Sequence, residues 1–204
     1  MQKKQDVSVL QTNGSGVLSF SSPSSDFVKL ATTTISSSTA TITIDGYMSA
    51  TYKHYKFIVS DLEPVGGSYY YLYMRYLIAN AEATASNYTT SCGGGYIDNG
   101  STTGSYNFGN YNGNKFSIGT NIGQTDNWGF NMEFTKLEAQ STNRYKAFVG
   151  VNTQRNDDFS SYFTHSIGGI YAGSTSALTG ISFSGSANFD KGTITMYGIK
   201  WKNF

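Results

Sequence analysis

One cysteine, two prolines and two histidines in 204 residues leave little for cross-linking, kinking or metal binding. With Cys92 alone no disulfide can close within the chain, which fits folding in a reducing compartment. His54 and His165 have no second His or Cys at ligand spacing, so no metal site and no cofactor are expected. Charge is scarce as well: 13% of residues are charged and the net charge is +1, about half the usual charged share. No basic stripe is present to neutralise a row of phosphates, and Lys3-Lys4 is too short to make one, so nucleic acid is not an expected partner. No window approaches the roughly 18 to 20 apolar residues of a membrane span. The start, Met1-Gln2-Lys3-Lys4-Gln5-Asp6, runs into polar sequence rather than an apolar stretch, so neither a membrane partner nor a secretion signal is expected. A long helical repeat with caps is missing too, which argues against an α-rich fold.

What remains is a chain of 38% hydrophobic and 15% aromatic residues, enough to bury a core under a surface of Ser, Thr, Asn, Gly and Tyr. Such a neutral hydroxyl and amide surface suits proteins that pack against neighbours or touch sugars. Period-2 alternation dominates and predicts an all-β fold. Val7 to Leu10 and Val17 to Phe20 read as the arms of a hairpin, with Asn13-Gly14-Ser15-Gly16 supplying the turn. Ser21-Ser22-Pro23-Ser24-Ser25 reads as a spacer. The expected organisation is an N-terminal arm over 1–26 and a β-sandwich domain over 27–204. Strands are expected at Ala40 to Ile44, Tyr55 to Ser60, Tyr69 to Ile78, Lys115 to Ile118, Trp128 to Leu137, Tyr145 to Asn152, Phe163 to Tyr171, Ala177 to Ser184 and Thr193 to Trp201. About nine short antiparallel strands point to a β-sandwich of jelly-roll type. Asn87 to Asn114, rich in Gly, Ser, Tyr and Asn, reads as a long polar excursion carrying two hairpin signals, Asn99-Gly100 and Asn112-Gly113.

Enzymatic content is thin. No Gly-x-Ser-x-Gly elbow joins a strand to a helix, and Gly14-Ser15-Gly16 reads as turn. For glycoside cleavage by paired carboxylates the residues to weigh are Asp126, Glu133, Glu138, Asp157 and Asp158. Adjacent Asp157 and Asp158 would diverge on an extended backbone, and a solvated loop explains them better. No catalytic residue is assigned. Tyrosine is the richer signal, because its flat apolar ring and single hydroxyl serve both protein contacts and sugar faces. Tyr69, Tyr70, Tyr71, Tyr73 and Tyr76 read as a strand with one face in the core and the other in a subunit contact. In the excursion, Tyr88, Tyr96, Tyr106, Phe108 and Tyr111, with Asn107, Asn110 and Asn112, are candidates for contact with a glycan or a neighbouring protein.

The closing stretch, Phe189-Asp190-Lys191-Gly192-Thr193-Ile194-Thr195-Met196-Tyr197-Gly198-Ile199-Lys200, resembles the last strand of β-domains in bacteriophage virion proteins, those of fibres, spikes and capsid-associated subunits. Ile35-Ser36-Ser37-Ser38-Thr39-Ala40-Thr41-Ile42-Thr43-Ile44, Tyr52-Lys53-His54-Tyr55-Lys56-Phe57, Ser60-Asp61-Leu62-Glu63-Pro64 and Leu72-Tyr73-Met74-Arg75 are similar to pieces that occur in the same order there. The segment Leu10 to Phe20 also resembles linking pieces of fibre stems. The resemblance implies a non-enzymatic structural protein of a phage particle, assembled in the host bacterial cytoplasm. A small fibre or spike subunit is the leading expectation, its β-domain facing outward toward host glycan. Capsid decoration and a polysaccharide-degrading spike are the alternatives. The expected partners are other virion proteins and further copies of the chain, as a trimer. Val7, Val9, Leu10, Val17, Leu18 and Phe20 are the expected attachment residues.

Overall fold

Tyr70 to Ile78 shows how this sequence makes its strands. Tyr70, Leu72, Met74 and Tyr76 are buried, whereas Tyr71 is exposed and Tyr73 and Arg75 are half-buried. Aromatic and straight apolar residues at every second position fill one face of a pleated chain, and the intervening residues meet water. The computed structural model describes residues 9–12, 15–16, 18–21, 26–66, 70–98, 103–122, 129–155 and 161–200, and among these every regular element is a strand. The strands are β1 (Val9–Thr12), β2 (Leu18–Ser21), β3 (Phe27–Ile35), β4 (Thr39–Asp45), β5 (His54–Pro64), β6 (Tyr70–Ile78), β7 (Ala81–Glu82), β8 (Tyr88–Asp98), β9 (Thr103–Gly113), β10 (Phe116–Ile122), β11 (Phe130–Lys136), β12 (Lys146–Arg155), β13 (Ser161–Tyr171) and β14 (Gly180–Ile199).

β1 and β2 form their own antiparallel pair, Leu10 opposite Phe20, as the hairpin pattern predicts. The Asn13-Gly14 half of the turn, Val7, Val17 and most of the Ser-rich spacer lie outside the described residues. The rest is a single antiparallel sheet in the order β10-β6-β14-β5-β11-β12-β13-β8-β9, with β3 and β4 added on β14 and β7 on β6. The sheet curls into a half-barrel, bringing β10 at one end of the order against β8, β9 and β12 near the other. Side chains from the two flanks meet inside: Phe116 lies edge-on to Phe148 at 5.0 Å, and Phe134 to Phe183 at 6.3 Å.

Two features depart from the sequence reading. Ala177 to Ser184 and Thr193 to Trp201 were expected as separate strands, but β14 runs unbroken through twenty residues. Its first part, Gly180 to Gly185, pairs with β4 and β6, and its last part, Thr193 to Ile199, pairs with β3 and β5. Register shifts between Ser184 and Phe189 and on to Thr193 bend it between the two sets of partners. One strand passing through both sets makes a single curled sheet where two separate sheets were expected. Ile194 and Met196 are fully buried. The second departure is the excursion. Residues 87–114 hold two eleven-residue strands, β8 and β9, paired along their length at the end of the sheet. Their reversal falls across 99–102, outside the described residues, whereas Asn112-Gly113 makes no hairpin and instead closes β9, with Asn112 at φ 54.

A tight turn joins β6 to β7, with Ile78 opposite Ala81 and both turn residues left-handed, Ala79 at φ 50 and Asn80 at φ 63. Alanine pays a steric cost there that asparagine largely escapes. Ala79→Asn is expected to raise unfolding stability by about 1 kcal/mol, read as a higher urea midpoint at unchanged slope. An unchanged or lower midpoint would show that the turn does not prefer asparagine.

Candidate functional site

The inward face of the β12–β13–β8–β9 end of the sheet gathers four of the eight candidate contact residues. Register sets this up: Tyr96 lies between Phe163 and Gly104, while Gly94 lies between His165 and Tyr106, and Cys92 between Ile167 and Phe108. Tyr96 leans over a small neighbour, Gly104. A Cβ on Gly104 would sit 2.5 Å from the Tyr96 ring, and one on Gly94 would strike the Thr164 carbonyl and the His165 Cα. Gly104 is therefore the gap into which the Tyr96 ring packs, and Gly94 lets the strand lie close against His165.

Tyr106 is 5.1 Å from Phe163, 6.2 Å from Phe108 and 5.9 Å from His165, ring centre to ring centre. Phe163 stacks on His165 at 5.6 Å, and Tyr96 adds a ring 5.7 Å from Phe163. Tyr96, Tyr106 and Phe108 are half-buried, whereas His165 is only 1% exposed.

The polar groups under these rings form a chain whose direction can be deduced. The amide nitrogen of Asn152 donates to the Ile118 carbonyl at 3.0 Å, so Asn152 Oδ1 is an acceptor. His165 Nδ1, 2.8 Å away, must then donate to it. Burial lowers the His165 pKa, so the ring is neutral and Nε2 keeps a bare lone pair. Among the described residues that Nε2 has no partner, and neither does Gln154 Oε1, whose amide nitrogen donates to the Thr120 carbonyl. Asn110 repeats the pattern: Nδ2 donates to the Lys115 carbonyl at 2.7 Å and Oδ1 is unpartnered. Among the described residues these three buried acceptors thus lack a protein donor, each at a free-energy cost that an incoming O–H or N–H would relieve.

The other four candidates go elsewhere. Tyr88 is fully buried, 4.6 Å from Phe116 and 4.4 Å from Tyr171. Its hydroxyl donates to the Ala83 carbonyl at 2.8 Å and accepts from the Tyr76 amide at 3.2 Å, so it is a core residue rather than a contact residue. Asn107 points to the outer face opposite Gly93. Tyr111, 87% exposed, and Asn112 stand at the end of β9, past a register shift that separates them from the aromatic cluster. Sequence reading missed His165, Asn152 and Gln154. Their signal was parity: Phe148, Gly150, Asn152 and Gln154 share the inward side of β12, and a polar residue at an inward position asks for a reason.

In β6, Tyr70 and Tyr76 enter the core, while Tyr71 and Tyr73 stack outside at 6.4 Å with Lys115 over the Tyr73 ring. Of the carboxylates weighed for cleavage, Glu133 lies 2.5 Å from Lys56, and Glu138 lies 3.6 Å from Lys53 and 3.4 Å from Arg144. Asp126, Asp157, Asp158, Tyr69, Trp128 and Trp201 lie outside the described residues. Cys92 is buried, and burial pushes its thiol up to about 12, well away from the reactive thiolate range. Among the described residues no three of His, Cys, Asp or Glu come together as a metal site. Of the attachment residues, Leu10 is exposed, and Val9, Leu18 and Phe20 fall in the β1–β2 pair. Compared with protein-family models, curated proteins and solved structures, the chain matches none.

Proposed function

We propose that the chain is a non-enzymatic structural protein of a phage particle, a small fibre or spike subunit that binds host-surface glycan through the aromatic face of β8, β9 and β13. The observation that carries the binding half of this reading is the set of unpartnered acceptors, His165 Nε2, Gln154 Oε1 and Asn110 Oδ1, beside half-buried Tyr96, Tyr106 and Phe108. Aromatic faces cover the apolar side of a sugar ring, and sugar hydroxyls supply the donors that the acceptors lack. The particle half rests on the resemblance of the Ile35 to Lys200 segments to virion β-domains. In this reading the curled sheet serves as a jelly-roll-type head, the β1–β2 arm holds it to other virion proteins, and trimeric copies raise a weak single-site affinity by avidity.

A second reading, capsid decoration, is favoured by a different surface. The outer side of β12 and β13 exposes Val149, Val151 and Ile170, each about half accessible, a patch suited to a neighbouring protein. Counting this chain against the major shell protein on intact particles separates the two. A small multiple of three at a tail or vertex is expected, and hundreds of copies over the shell would establish decoration. On the adhesive reading, particles carrying Tyr106→Ala assemble normally and adsorb less to host cells, each site losing about tenfold in affinity, or roughly 1.4 kcal/mol. Unchanged adsorption would remove the aromatic face as the binding site.

A further inference from the structure

At the opposite end of the strands, the β4–β5 connection faces the β11–β12 connection across a cavity of about 520 Å³. Along β12 this end lies eight residues from the aromatic face, Lys146 to Gln154, or about 26 Å at roughly 3.3 Å per residue. Lys53, Arg144 and Glu138 line it. Lys136 and Lys146 lie fully buried on the flanking strands, donating to the carbonyls of Leu137 and Ser141 in the β11–β12 connection. Two exposed cations, Lys53 and Arg144, thus flank one acid at the cavity wall. Glu138 is held in place by a left-handed backbone, φ 44, and by its amide donating to His54 Nδ1 at 3.1 Å. Its carboxylate reaches Lys53 at 3.6 Å and Arg144 at 3.4 Å, longer than the roughly 2.7 to 2.9 Å of a tight charge-assisted bond. It leaves an excess of positive charge facing the cavity.

The remaining lining is equipped for a polyol. Tyr52 presents a ring fixed by its neighbours: it meets Tyr55 edge-on at 5.9 Å, and a Cβ on Gly198 would lie 2.5 Å from it. Gln140 uses its amide nitrogen on the Leu178 carbonyl at 2.7 Å, which turns its oxygen into the available acceptor. Asn143 accepts from the Ser141 hydroxyl at 2.7 Å on its oxygen, which leaves its NH₂ as a donor. Ring platform, donor, acceptor and paired cations are the parts that a carboxylated sugar requires.

The geometry points to an acidic-saccharide site in this cavity, with the sugar ring on Tyr52 and its carboxylate between Lys53 and Arg144. Taking the ligand for a saccharide rests on the adhesive reading, whereas the anion site itself does not. The test is titration of the full chain with trigalacturonate, with its methyl ester, which keeps the rings but not the charge, and with inorganic phosphate, followed by amide NMR shifts. Trigalacturonate is expected to bind at least tenfold more tightly than the ester or phosphate and to shift amides in 50–53 and 138–144. Arg144→Gln and Lys53→Gln, both on exposed side chains, are each expected to weaken it at least fivefold, with Tyr106→Ala without effect. Equal binding of the ester, equal binding of phosphate, or an unaffected Arg144→Gln would overturn the proposal. Binding lost with Tyr106→Ala in place of Arg144→Gln would overturn this cavity and leave the adhesive reading standing. Tight binding here by a chain whose removal leaves particle adsorption intact would do the reverse.

Discussion

Phe134→Ala is expected to lower the free energy of unfolding by about 3 to 5 kcal/mol, the range for truncating a fully buried phenylalanine. Phe134 stacks on Phe57 at 4.8 Å with ring planes 5° apart, and meets Phe148 edge-on at 5.7 Å and Phe183 at 6.3 Å. It therefore touches its own flank of the sheet through β5 and β12 and the opposite flank through β14. Truncation leaves a void bordered by three rings that are each 1% exposed or less. Guanidinium unfolding followed by circular dichroism would read the loss as a lower midpoint at unchanged slope. A change below about 1 kcal/mol would mean that the flanks do not depend on this contact.

The second large effect concerns Lys136, whose ammonium lies 5.4 Å from the Tyr76 ring and is wholly shielded from solvent. Burial, reinforced by Lys146 and partly opposed by Glu138, lowers its pKa to about 7. An unfolded lysine holds its proton to about pH 10.4, so across the interval between these values the unfolded chain binds more protons and stability rises with pH. Other groups narrow the useful window. The lowered pKa values of His54 and His165 add their own rise below about pH 6.5, and Cys92, pushed up by burial, subtracts above about pH 8.5. Between pH 7 and 8.5 stability is expected to climb by about 1.5 kcal/mol. Lys136→Met should be more stable than the parent at pH 6 and lose most of that climb, leaving the smaller contributions of Lys146 and Lys115, which burial also lowers. A parent whose stability is flat from pH 7 to 8.5 would show that Lys136 stays charged in the folded chain.

Strands with alternating large apolar residues were legible at once. β6, β12 and β13 fall within two or three residues of where Tyr69 to Ile78, Tyr145 to Asn152 and Phe163 to Tyr171 were read. β8 and β9 were not, because Gly93, Gly94, Gly95, Gly104 and Gly109 erase the contrast between faces on which period-2 reading depends. Their partners across the strand, not their own sequence, explain those glycines. β14 was split in two because Gly185-Ser186-Ala187-Asn188 has the composition of a turn, yet in the sheet it bends the strand without ending it. Four of the site residues, Tyr96, Tyr106, Phe108 and Asn110, were found by residue type alone. Separating them from Tyr88, Asn107, Tyr111 and Asn112 required the register, which settles which side of the sheet each one occupies.

β14 is also the last of these strands to be synthesised, and β3, β4, β5 and β6 all take it as a neighbour. Gly180 seeks Asp45, and Ile199 seeks Phe27, across most of the chain. Until β14 leaves the ribosome, four strands made much earlier have open edges, and β3 and β4 have no other partner in the sheet. Closing such distant pairs is slow, and open edges invite pairing with other chains in the meantime. The delay between the first strands and the last is therefore expected to set the yield of this protein, which should respond to slower synthesis and lower temperature more than to changes at either proposed site.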